Sequence, residues 1–329
     1  MDRVLVIGGT LFIGQALVAR LLERGDDVTI LHRGRHNPFA GHAREIHCDR
    51  NDTVSVAKAV KGGYDLVFDN VYDWQRGTTG DQVLAAAAAC ADNLRRYVFV
   101  SSCAAYGDGL DRDEEAPLAP PDCPDIYCRN KADSERALLG LYAERGVPTA
   151  TLRPPFVYGP RNPFYREAFF WDRLTAGRPI LVPGDGSRLM HFVFVADLVN
   201  AALLAAQTPA AAGRAYNVAH TGPVRQDEFV RKLGEAAGTE ADLRYIPRET
   251  AQELGGQVFQ PPYYFGQYFD MPPITLNVTR AREELGFEPA SLAEGLRQTW
   301  QWYSGSEPTP RDRPDFSFDD IALAALARA

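Results

Sequence analysis

The segment that most constrains the fold of this chain is "VLVIGGTLFIG", which spans residues 4–14. Its first four residues form an apolar run that is typical of a buried parallel strand. A turn containing Gly8, Gly9 and Gly14 follows and leads into "GQALVARLLERG", where apolar residues recur at helical spacing. Backbone N–H groups in such a turn, together with the N-terminus of the following helix, can hold a pyrophosphate. The segment therefore predicts a dinucleotide-binding unit, although a purely structural turn would carry the same glycines.

Strand and helix patterns alternate through the first half of the chain. The strand segments after the first are "DVTIL" (27–31), "EIHC" (45–48), "YDLVFDN" (64–70) and "RYVFVSS" (96–102), and the helical segments between them include an alanine-rich one at 78–93. Such alternation specifies a parallel sheet with helices on both faces. We therefore predict an α/β fold, a Rossmann-type doubly wound parallel sheet with a smaller C-terminal substrate-binding lobe.

The sequence pattern changes beyond residue 155, where proline-rich loops and aromatic tracts replace the alternating strand and helix segments. We predict a dinucleotide-binding domain over residues 1–155. It returns near residues 190–220, because "HFVFV" and "AYNVA" have strand patterns. Residues 156–303 are predicted to form mainly the substrate-binding lobe. Residues 304–329 are predicted to be a linker followed by a C-terminal helix.

Composition and charge narrow the function classes. The net charge of −8 disfavours general binding to nucleic acid or to a membrane surface, since both need a basic face. No apolar stretch reaches about 18 residues, so we expect neither a membrane span nor a signal peptide. Five cysteines at irregular spacing indicate reduced thiols, and hence a cytoplasmic protein. No metal site is expected, because Cys123 and Cys128 lack the second Cys/His pair that a zinc site needs.

Three later stretches complete a recognisable order. "VFVSSCAAYGD" (98–108) ends a buried strand in hydroxyl side chains, and "YCRNK" places Tyr127 and Lys131 on one face of a helix. "LRPPFVYGP" (152–160) follows a further strand. With the glycine turn, these stretches resemble the extended short-chain dehydrogenase/reductase superfamily, which includes NAD(P)-dependent nucleotide-sugar epimerases and dehydratases. The resemblance covers about residues 3–300 and implies an enzyme of that type.

The glycine turn departs from the usual pattern of the extended family, which reads T-G-G-x-G-F-I-G. Ile7 and Leu11 replace the Thr and the middle Gly. The turn is similar to an atypical branch that includes bacterial epimerase-like proteins and chloroplast stem-loop-binding proteins. We expect the Leu11 side chain to point away from the pyrophosphate if its φ is ordinary. The resemblance then implies that the cofactor is held by Gly8, Gly9, Thr10, Leu11, Phe12, Ile13, Gly14 and Pro154.

The resemblance also implies a catalytic set of Ser102, Tyr127 and Lys131. A carbonyl/alcohol redox step needs a proton donor or acceptor at oxygen while hydride moves at carbon. A free phenol with a pKa of about 10 is a poor base, and the nearby Lys131 cation is expected to favour its phenolate. In the family such a lysine also holds the nicotinamide ribose, and such a tyrosine contacts the cofactor. Taken separately, Ser102 would be the cap of a strand and Tyr127 a surface aromatic.

The residues between Ser102 and Tyr106 bear on the reaction type. Family members that dehydrate or decarboxylate sugars typically carry acids there, whereas this chain has Cys103 and two alanines. Elimination is therefore disfavoured, and simple redox or epimerisation by oxidation, ketone rotation and re-reduction is expected. Cys103 is either a perturbed thiol beside the substrate or a small packing residue.

Residues after strand ends are candidates for substrate contact, because open α/β sheets bind ligands there. Tyr72 and Asp73 suit a sugar face and its hydroxyls, although loop packing explains them equally. Arg161 and Arg188 are either anion contacts or solvated loop arginines. Phe156 stands where nucleotide-sugar enzymes of the family usually have Asn. The substrate candidates are Tyr72, Asp73, Cys103, Phe156, Arg161, Arg188 and His191.

The choice between NAD and NADP depends on the end of the second strand, "ILHRGRH". An acid there would bind the ribose 2′-hydroxyl and favour NAD. His32, Arg33 and Arg35 better match a 2′-phosphate, which favours NADP, although epimerases of the family commonly retain NAD. Asp49, after the third strand, stands where the family contacts adenine.

Two function classes follow. The first is an NAD(P)-dependent epimerase or reductase acting on a sugar or sugar nucleotide, with a small-molecule substrate and no nucleic-acid or membrane partner. The second is a non-catalytic or RNA-binding protein on the same fold. Extended relatives pair through a four-helix interface. We therefore expect a homodimer through the helix at 78–93 and the helix carrying Tyr127.

Overall fold

A computed structural model describes residues 1–34, 36–61, 63–91, 94–305 and 314–328. The strands are β1 (Arg3–Ile7), β2 (Asp27–His32), β3 (Arg44–His47), β4 (Leu66–Asp69), β5 (Arg96–Val100), β6 (Gly109–Arg112), β7 (Thr149–Arg153), β8 (Phe156–Tyr158), β9 (Ile180–Pro183), β10 (Leu189–Met190), β11 (Phe192–Phe194), β12 (Arg214–Asn217), β13 (Val224–Arg225), β14 (Leu243–Ile246) and β15 (Ile274–Leu276). The helices are α1 (Phe12–Glu23), α2 (Thr53–Val60), α3 (Gly80–Ala89), α4 (Ile126–Arg145), α5 (Glu167–Thr175), α6 (Val195–Gln207), α7 (Gln226–Ala237), α8 (Arg248–Glu253), α9 (Thr279–Leu285), α10 (Leu292–Gly305) and α11 (Ser317–Leu326).

The central sheet has seven strands in the order β12-β7-β5-β4-β1-β2-β3. Each neighbouring pair in it is parallel. The strand order reverses between β1 and β4, and in open α/β sheets ligands bind in the crevice at such a reversal. The turn after β1 and the loop after β4 both begin there. The predicted α/β fold with a Rossmann-type parallel sheet is confirmed.

Strand β1 lies at the centre of the core. Residues 4–7 are fully buried, as their apolar run predicts for a strand covered on both faces. Val6 pairs with Ile30 on one side and with Phe68 on the other. Helix α1 buries Leu17, at the helical spacing expected for its inner face. This packing holds the turn between β1 and α1 from both ends.

Helices α3 and α4 pack closely against each other. A Cβ on Gly80 would lie 2.9 Å from the carbonyl carbon of Asp133, so only glycine fits there without a shift. Thr79 caps α3 in a capping box with Gln82. The alanine-rich helix therefore lies directly beside the helix that carries Tyr127.

The chain forms two compact units. The first contains Met1–Val157, Phe192–Thr221 and Leu276–Pro289, and the second contains Tyr158–His191, Gly222–Thr275 and Ala290–Ala329. The first unit includes the central sheet. Dinucleotide binding by one part of the chain and substrate binding by the other stay predictions.

The second unit includes the C-terminal helix α11. Nε and Nη2 of Arg173, on α5, donate to the two carboxylate oxygens of Asp319 on α11, at 2.8 and 2.7 Å. Both side chains are almost fully buried. Residues 306–313 of the predicted linker lie outside the described residues. Within the described ranges, none of the helices combines the length and the apolar character that crossing a bilayer requires.

Candidate active site

The turn after β1 leaves no room for side chains at two of its glycines. Gly8 has φ +90°, and a Cβ there would lie 1.9 Å from Cγ2 of Val71. A Cβ on Gly14 would lie 1.8 Å from the carbonyl oxygen of Gly8. A side chain at either position would collide with its neighbour, and at Gly8 the φ itself favours glycine. The glycines predicted to form the turn therefore let helix α1 start directly against the end of β1.

Leu11, where the family pattern has glycine, lies at the N-cap of α1. Its φ is −133° and its ψ is 147°, which is ordinary extended backbone, and its side chain is 66% exposed. The Leu11 side chain makes no cap hydrogen bond, and the first turn of the helix carries no acid. The first N–H groups of α1 therefore receive no hydrogen bond from the N-cap side chain. Thr10 and Ile13 are half-buried, and Phe12 is buried with a φ of +37°.

Ser102 follows β5 and caps a short 3₁₀ helix, Cys103–Tyr106. Its Oγ accepts the N–H of Ala104 at 3.1 Å, and the side chain is buried. The serine hydroxyl thus lies at the carboxyl end of a strand beside the reversal of strand order. Open α/β sheets place their reactive side chains at such strand ends.

Tyr127 and Lys131 lie in the first two turns of α4. Asp125 caps this helix, and its Oδ1 accepts the N–H groups of Tyr127 at 2.8 Å and Cys128 at 3.1 Å. The Nζ of Lys131 donates to the Val100 carbonyl at 2.9 Å and lies 5.8 Å from the centroid of the Tyr127 ring. The spacing of four residues therefore brings both side chains to one site.

Burial controls the protonation of both side chains. Burial raises the pKa of the Tyr127 phenol, while a hydrogen bond with Ser102 lowers it. Burial lowers the pKa of Lys131 to about 8, against the opposing effect of the Asp69 and Glu135 carboxylates. Desolvation is the largest effect on the tyrosine, so its pKa moves up rather than down as expected from the nearby lysine. This direction favours the neutral form of the phenol.

An aromatic cluster surrounds the Tyr127 ring. Trp74 stacks on it with centroids 4.9 Å apart, and Tyr72 meets it edge-on at 4.8 Å. The amide of Asn130 donates to the hydroxyl of Tyr72 at 3.2 Å. Tyr72, a predicted substrate residue, therefore lies in contact with the predicted catalytic tyrosine.

Asp73 points to a different group of partners. Its Oδ2 accepts Nη2 of Arg76 at 2.7 Å and lies 3.6 Å from Nη1 of Arg33. The same Nη2 of Arg76 donates to the Asp49 carboxylate at 2.7 and 2.9 Å. The ends of β2, β3 and β4 thus share a cluster of two acids and two arginines. Asp73 belongs to this cluster with the predicted cofactor residues, while Arg35 lies outside the described residues.

His32 ends β2, where an acid would bind a ribose hydroxyl. Its Nδ1 accepts the Gly34 N–H at 3.1 Å, so its Nε2 carries the proton and donates to Oε2 of Glu45 at 2.9 Å. Nε2 of His47 lies 3.3 Å from the same oxygen. Hydrogen bonds from Asn37 and these histidines lower the pKa of Glu45. Both ring nitrogens of His32 are therefore engaged.

His32, Glu45 and His47 also form a group that could hold a metal ion among the described residues, with ligand atoms within 4.8 Å of one another. A metal on Nε2 of His32 would need that nitrogen to be unprotonated while Nδ1 still accepts from the backbone. A neutral imidazole has only one such acceptor nitrogen. The hydrogen bonds therefore favour a His–Glu pair over a metal site.

Cys103, Pro154 and Phe156 line the strand ends beside Ser102. The Cys103 N–H donates to the Pro154 carbonyl at 2.9 Å. Burial raises the pKa of the Cys103 thiol to about 12, which fits a packing role. Phe156 is half-buried, with its ring centroid 5.9 Å from that of Phe192.

Three predicted substrate residues belong to the second unit. Arg161 is exposed and has φ +66°, and His191 is fully buried. Nη1 of Arg188 donates to the Asp270 carboxylate at 2.7 Å and to two backbone carbonyls. Arg188 is thus held in place from within its own unit.

The sequence analysis did not identify three buried side chains near the site. Oε1 of Glu135 accepts the Ser101 hydroxyl at 2.5 Å, and its Oε2 accepts Nε of Arg153 at 2.8 Å. Two features of the sequence could have identified Glu135 and Arg153. Glu135 is one helical turn after Lys131, and Arg153 directly precedes Pro154 in the strand-end motif.

Comparison with known proteins identifies the family of the chain. The family model described as "NAD dependent epimerase/dehydratase family" matches residues 4–219. A chloroplast stem-loop binding protein of 41 kDa from Arabidopsis thaliana is 29% identical, and the match covers 98% of this chain and 84% of that protein. A UDP-glucose 4-epimerase from Mycolicibacterium smegmatis is also 29% identical, over 92% of this chain and 98% of that protein.

Among solved structures, a UDP-glucose 4-epimerase from Thermotoga maritima aligns with a TM-score of 0.73 at 23% identity, over 92% of this chain and 98% of that chain. This likeness shows the same fold. The family model spans well over half of the sequence, from the strand of the glycine turn to the last strand of the central sheet. The chain therefore belongs to the NAD dependent epimerase/dehydratase family and is an oxidoreductase or epimerase of that family.

Proposed function

We propose that this protein transfers hydride between NAD(P) and a hydroxyl-bearing carbon of a sugar or sugar nucleotide, as an epimerase or a reductase. The observation that carries the proposal is the convergence of Ser102, Tyr127 and Lys131. Tyr127 is hydrogen-bonded with Ser102, and the Lys131 ammonium is buried 5.8 Å from the tyrosine ring. These are a proton donor, a second hydroxyl and a cation at one strand end.

In this proposal Tyr127 moves the proton at the reacting oxygen. Its neutral phenol donates to that oxygen as a ketone is reduced and accepts the proton back in the reverse direction. The Ser102 hydroxyl orients the same oxygen, and Lys131 supplies positive charge beneath the phenol. Bound NAD(P) supplies or accepts the hydride at its nicotinamide ring.

The residues of the glycine turn fit a dinucleotide. Neighbouring atoms leave no room for a Cβ on Gly8 or Gly14, and the first turn of α1 has no cap from the Leu11 side chain and no acid. Pyrophosphate would take those N–H groups. The turn residues 8–14 and Pro154 would hold the cofactor, with Lys131 and Tyr127 at the nicotinamide ribose.

We propose NADP as the preferred form, on the basis of Arg33. The Asp73 carboxylate is more closely bound to Arg76 than to Arg33, at 2.7 against 3.6 Å. Arg33 is half-exposed and is the guanidinium of the cluster with the weaker acid contact. It is therefore the group best placed to bind a 2′-phosphate. Asp49 is proposed to contact the adenine, and His32 supports this strand end with both ring nitrogens engaged.

The proposed substrate class rests on the Mycolicibacterium relative and on the aromatic cluster. Tyr72 and Trp74 lie against Tyr127, and aromatic faces suit the apolar face of a sugar ring. The substrate contacts predicted for Arg161, Arg188 and His191 stay predictions. Cys103 and two alanines, rather than acids, stand between Ser102 and Tyr106, which disfavours elimination.

The deciding experiment combines cofactor analysis with turnover. The protein as purified is denatured, and the released nucleotides are separated by chromatography and identified by absorbance. Conversion of UDP-glucose to UDP-galactose, and ketone-dependent oxidation of NADPH, are then measured. Bound NAD(H) with epimerisation supports an epimerase, and an empty site that reloads with NADPH supports a reductase. Activity of neither kind, with no binding of either nucleotide, would overturn the proposal.

A non-catalytic or RNA-binding role is the second candidate, because the chloroplast stem-loop binding protein matches almost the whole chain. The net charge of −8 disfavours it, since RNA binding needs a basic surface. A filter-binding assay with a stem-loop RNA at two salt concentrations separates the two roles. Salt-dependent binding with no effect of Tyr127→Phe on any activity would favour the RNA-binding role.

We also propose a homodimer through α3 and α4, which pack together within the chain. Leu139 and Tyr142 on α4 are 46% and 39% exposed, so this helix carries apolar side chains on its outer face. Sedimentation at micromolar concentration tests the assembly.

The five free cysteines fit a reducing compartment such as the cytoplasm.

A further inference from the structure

We propose that Glu135 is a positioning residue. Its buried carboxylate fastens helix α4, which carries Tyr127 and Lys131, to the strand ends that carry Ser102. The inference rests on the proposed function, because it takes those three residues as the reacting set.

The Glu135 carboxylate joins three elements of the fold. The carboxylate, on α4, accepts the Ser101 hydroxyl at 2.5 Å on one oxygen. Its other oxygen accepts Nε of Arg153 at 2.8 Å and lies 2.7 Å from Nη2 of the same guanidinium. Ser101 directly follows β5 and precedes Ser102, and Arg153 ends β7 and precedes Pro154. One side chain of α4 therefore fixes the helix to both strand ends at the site.

The spacing along α4 makes this contact relevant to the reacting groups. Tyr127, Lys131 and Glu135 are separated by four residues each, so they lie along one face of the helix. Lys131 and Glu135 are both almost fully buried. A rotation or shift of α4 about the Glu135 contact would move the phenol and the ammonium together, relative to Ser102.

The backbone around Ser102 is held by the same pair of strands. The Ser101 N–H donates to the Leu152 carbonyl at 2.8 Å, and the Cys103 N–H donates to the Pro154 carbonyl at 2.9 Å. These backbone hydrogen bonds hold the strand end that carries Ser102. Glu135 adds side-chain contacts that restrain the position of α4 against that strand end.

The rest of the network leaves the Arg153 charge fully partnered. Nη1 of Arg153 donates to the Tyr106 hydroxyl at 2.6 Å, and that hydroxyl donates to Oδ1 of Asn217 at 2.9 Å. A buried ion pair by itself contributes little net stability, because desolvation offsets the attraction. Geometry, rather than stability alone, is therefore the property that this pair supplies to the site.

Charge gives a second readout. The Asp69 and Glu135 carboxylates favour the charged form of Lys131, and the Arg50 guanidinium opposes it. Asp69 is itself bound to Arg50 at 2.5 Å and accepts the Tyr97 hydroxyl at 2.6 Å. Burial lowers the pKa of Lys131 to about 8. Removing the negative charge of Glu135 will lower that pKa further, whereas a purely structural loss elsewhere in the network will not.

The first experiment measures Lys131 directly and needs no substrate. The chain contains four lysines, at positions 58, 61, 131 and 232. Selective ¹³Cε-lysine labelling therefore yields four NMR signals, and Lys131→Arg identifies one of them. We expect Glu135→Gln to lower the titration midpoint of the Lys131 signal by about half a pH unit or more.

Glu114→Gln is the matched control for this measurement. Glu114 is also buried, and its carboxylate accepts the Asn217 N–H at 2.8 Å and lies 3.7 Å from Nε of Arg280. The variant removes a buried carboxylate from the same network without removing a contact to α4. We expect it to lose thermal stability and to leave the Lys131 midpoint unchanged. Equal midpoints in the wild type and both variants would overturn the proposed role of Glu135.

The second experiment uses Ser101→Ala, which keeps the Glu135 charge and removes one hydrogen bond to it. We expect kcat to fall by about 5–20-fold with KM within about twofold, because alignment rather than binding is lost. Glu135→Asp, which is too short to span both partners, should show the same kcat loss with the Lys131 midpoint retained. These variants also decide the proposal if Glu135→Gln does not fold. Wild-type kcat in Ser101→Ala contradicts it.

The two tests separate failure of this inference from failure of the proposed function. If the wild type is inactive and Tyr127→Phe changes nothing, the proposed function fails. The NMR titration then still reports whether Glu135 sets the charge of Lys131. If the wild type is active and sensitive to Tyr127→Phe, an unchanged Lys131 midpoint and unchanged kcat in the variants overturn the inference alone.

Discussion

Trp74 stacks on the ring of Tyr127, with the ring centroids 4.9 Å apart and 24° between the ring planes. The indole is 60% exposed, so a large apolar surface lies beside the proposed reacting phenol. Exposed aromatic surface of this kind is where a sugar ring or another apolar ring can stack. The relationship places a candidate substrate platform directly against the proposed proton donor.

Replacing Trp74 is expected to weaken substrate binding more than chemistry. An aromatic stack contributes about 0.5–1.5 kcal/mol. Trp74→Ala should therefore raise KM by about 2–12-fold, while Trp74→Phe changes it less. Ligand quenching of tryptophan fluorescence should be lost in both variants. Trp300→Phe is the control, since Trp300 stacks on Tyr303 in the second unit. Undiminished quenching in Trp74→Phe would contradict the platform.

Tyr127→Phe is expected to fold normally and to lose turnover by about 10²–10⁴-fold, the usual contribution of a general acid or base. The ring stack with Trp74 survives the change, so thermal stability should be nearly unchanged. Tyr142→Phe, on the same helix but away from the site, is the matched control. Steady-state kinetics of the three proteins decide the matter. Equal turnover in Tyr127→Phe and the control would remove Tyr127 as acid/base.

The rate should depend on pH through Lys131. Burial lowers its pKa to about 8, so the ammonium predominates below that pH and is lost as the pH rises through it. We expect kcat/KM to fall on the alkaline side with a midpoint near pH 8. In Lys131→Arg the cation persists at all working pH values, so this limb should disappear even if the rate is lower. If kcat/KM still falls near the same pH in Lys131→Arg, the fall is due to the titration of another group.

Arg33→Ala tests the proposed preference for NADP. A hydrogen bond to a charged group contributes about 1.5–3 kcal/mol, so NADPH should bind about 10–150-fold more weakly and NADH almost unchanged. Arg20→Ala, another exposed arginine in the same unit, controls for the loss of net positive charge. Calorimetric titration with both nucleotides measures the difference. Equal losses for NADH and NADPH would indicate stacking on the adenine and remove the basis for NADP.

Breaking the buried ion pair between Arg173 and Asp319 of the C-terminal helix should destabilise the protein. Removing one partner of such a pair costs about 3–5 kcal/mol, because the other charge stays buried without compensation. Asp319→Asn should therefore lower the free energy of unfolding by about that amount in urea titration. Asp320→Asn is the neighbouring control, since Asp320 is 66% exposed in its pair with Arg178. Similar decreases in the free energy of unfolding of both variants would show that the buried pair with Arg173 contributes no more than an exposed pair.

The sequence by itself determined the sheet, the glycine turn and the pairing of Tyr127 with Lys131, because each is encoded locally. An apolar run makes a strand, glycine allows the backbone at Gly8 and Gly14, and a spacing of four residues puts two side chains on one helix face. These signals operate over a few residues. These three features can therefore be predicted without knowing which strands become neighbours.

Only the tertiary structure decided which distant charged groups meet. Asp73 forms ion pairs with Arg33 and Arg76, and Glu135 accepts hydrogen bonds from Ser101 and Arg153. These partners come together because the strand order places the ends of β2 and β4, or of β5 and β7, at one edge of the sheet. The direction of the Tyr127 pKa likewise depends on burial, which is the largest effect on this phenol. Desolvation and long-range pairing are properties of the packed chain, and no local pattern of residues encodes them.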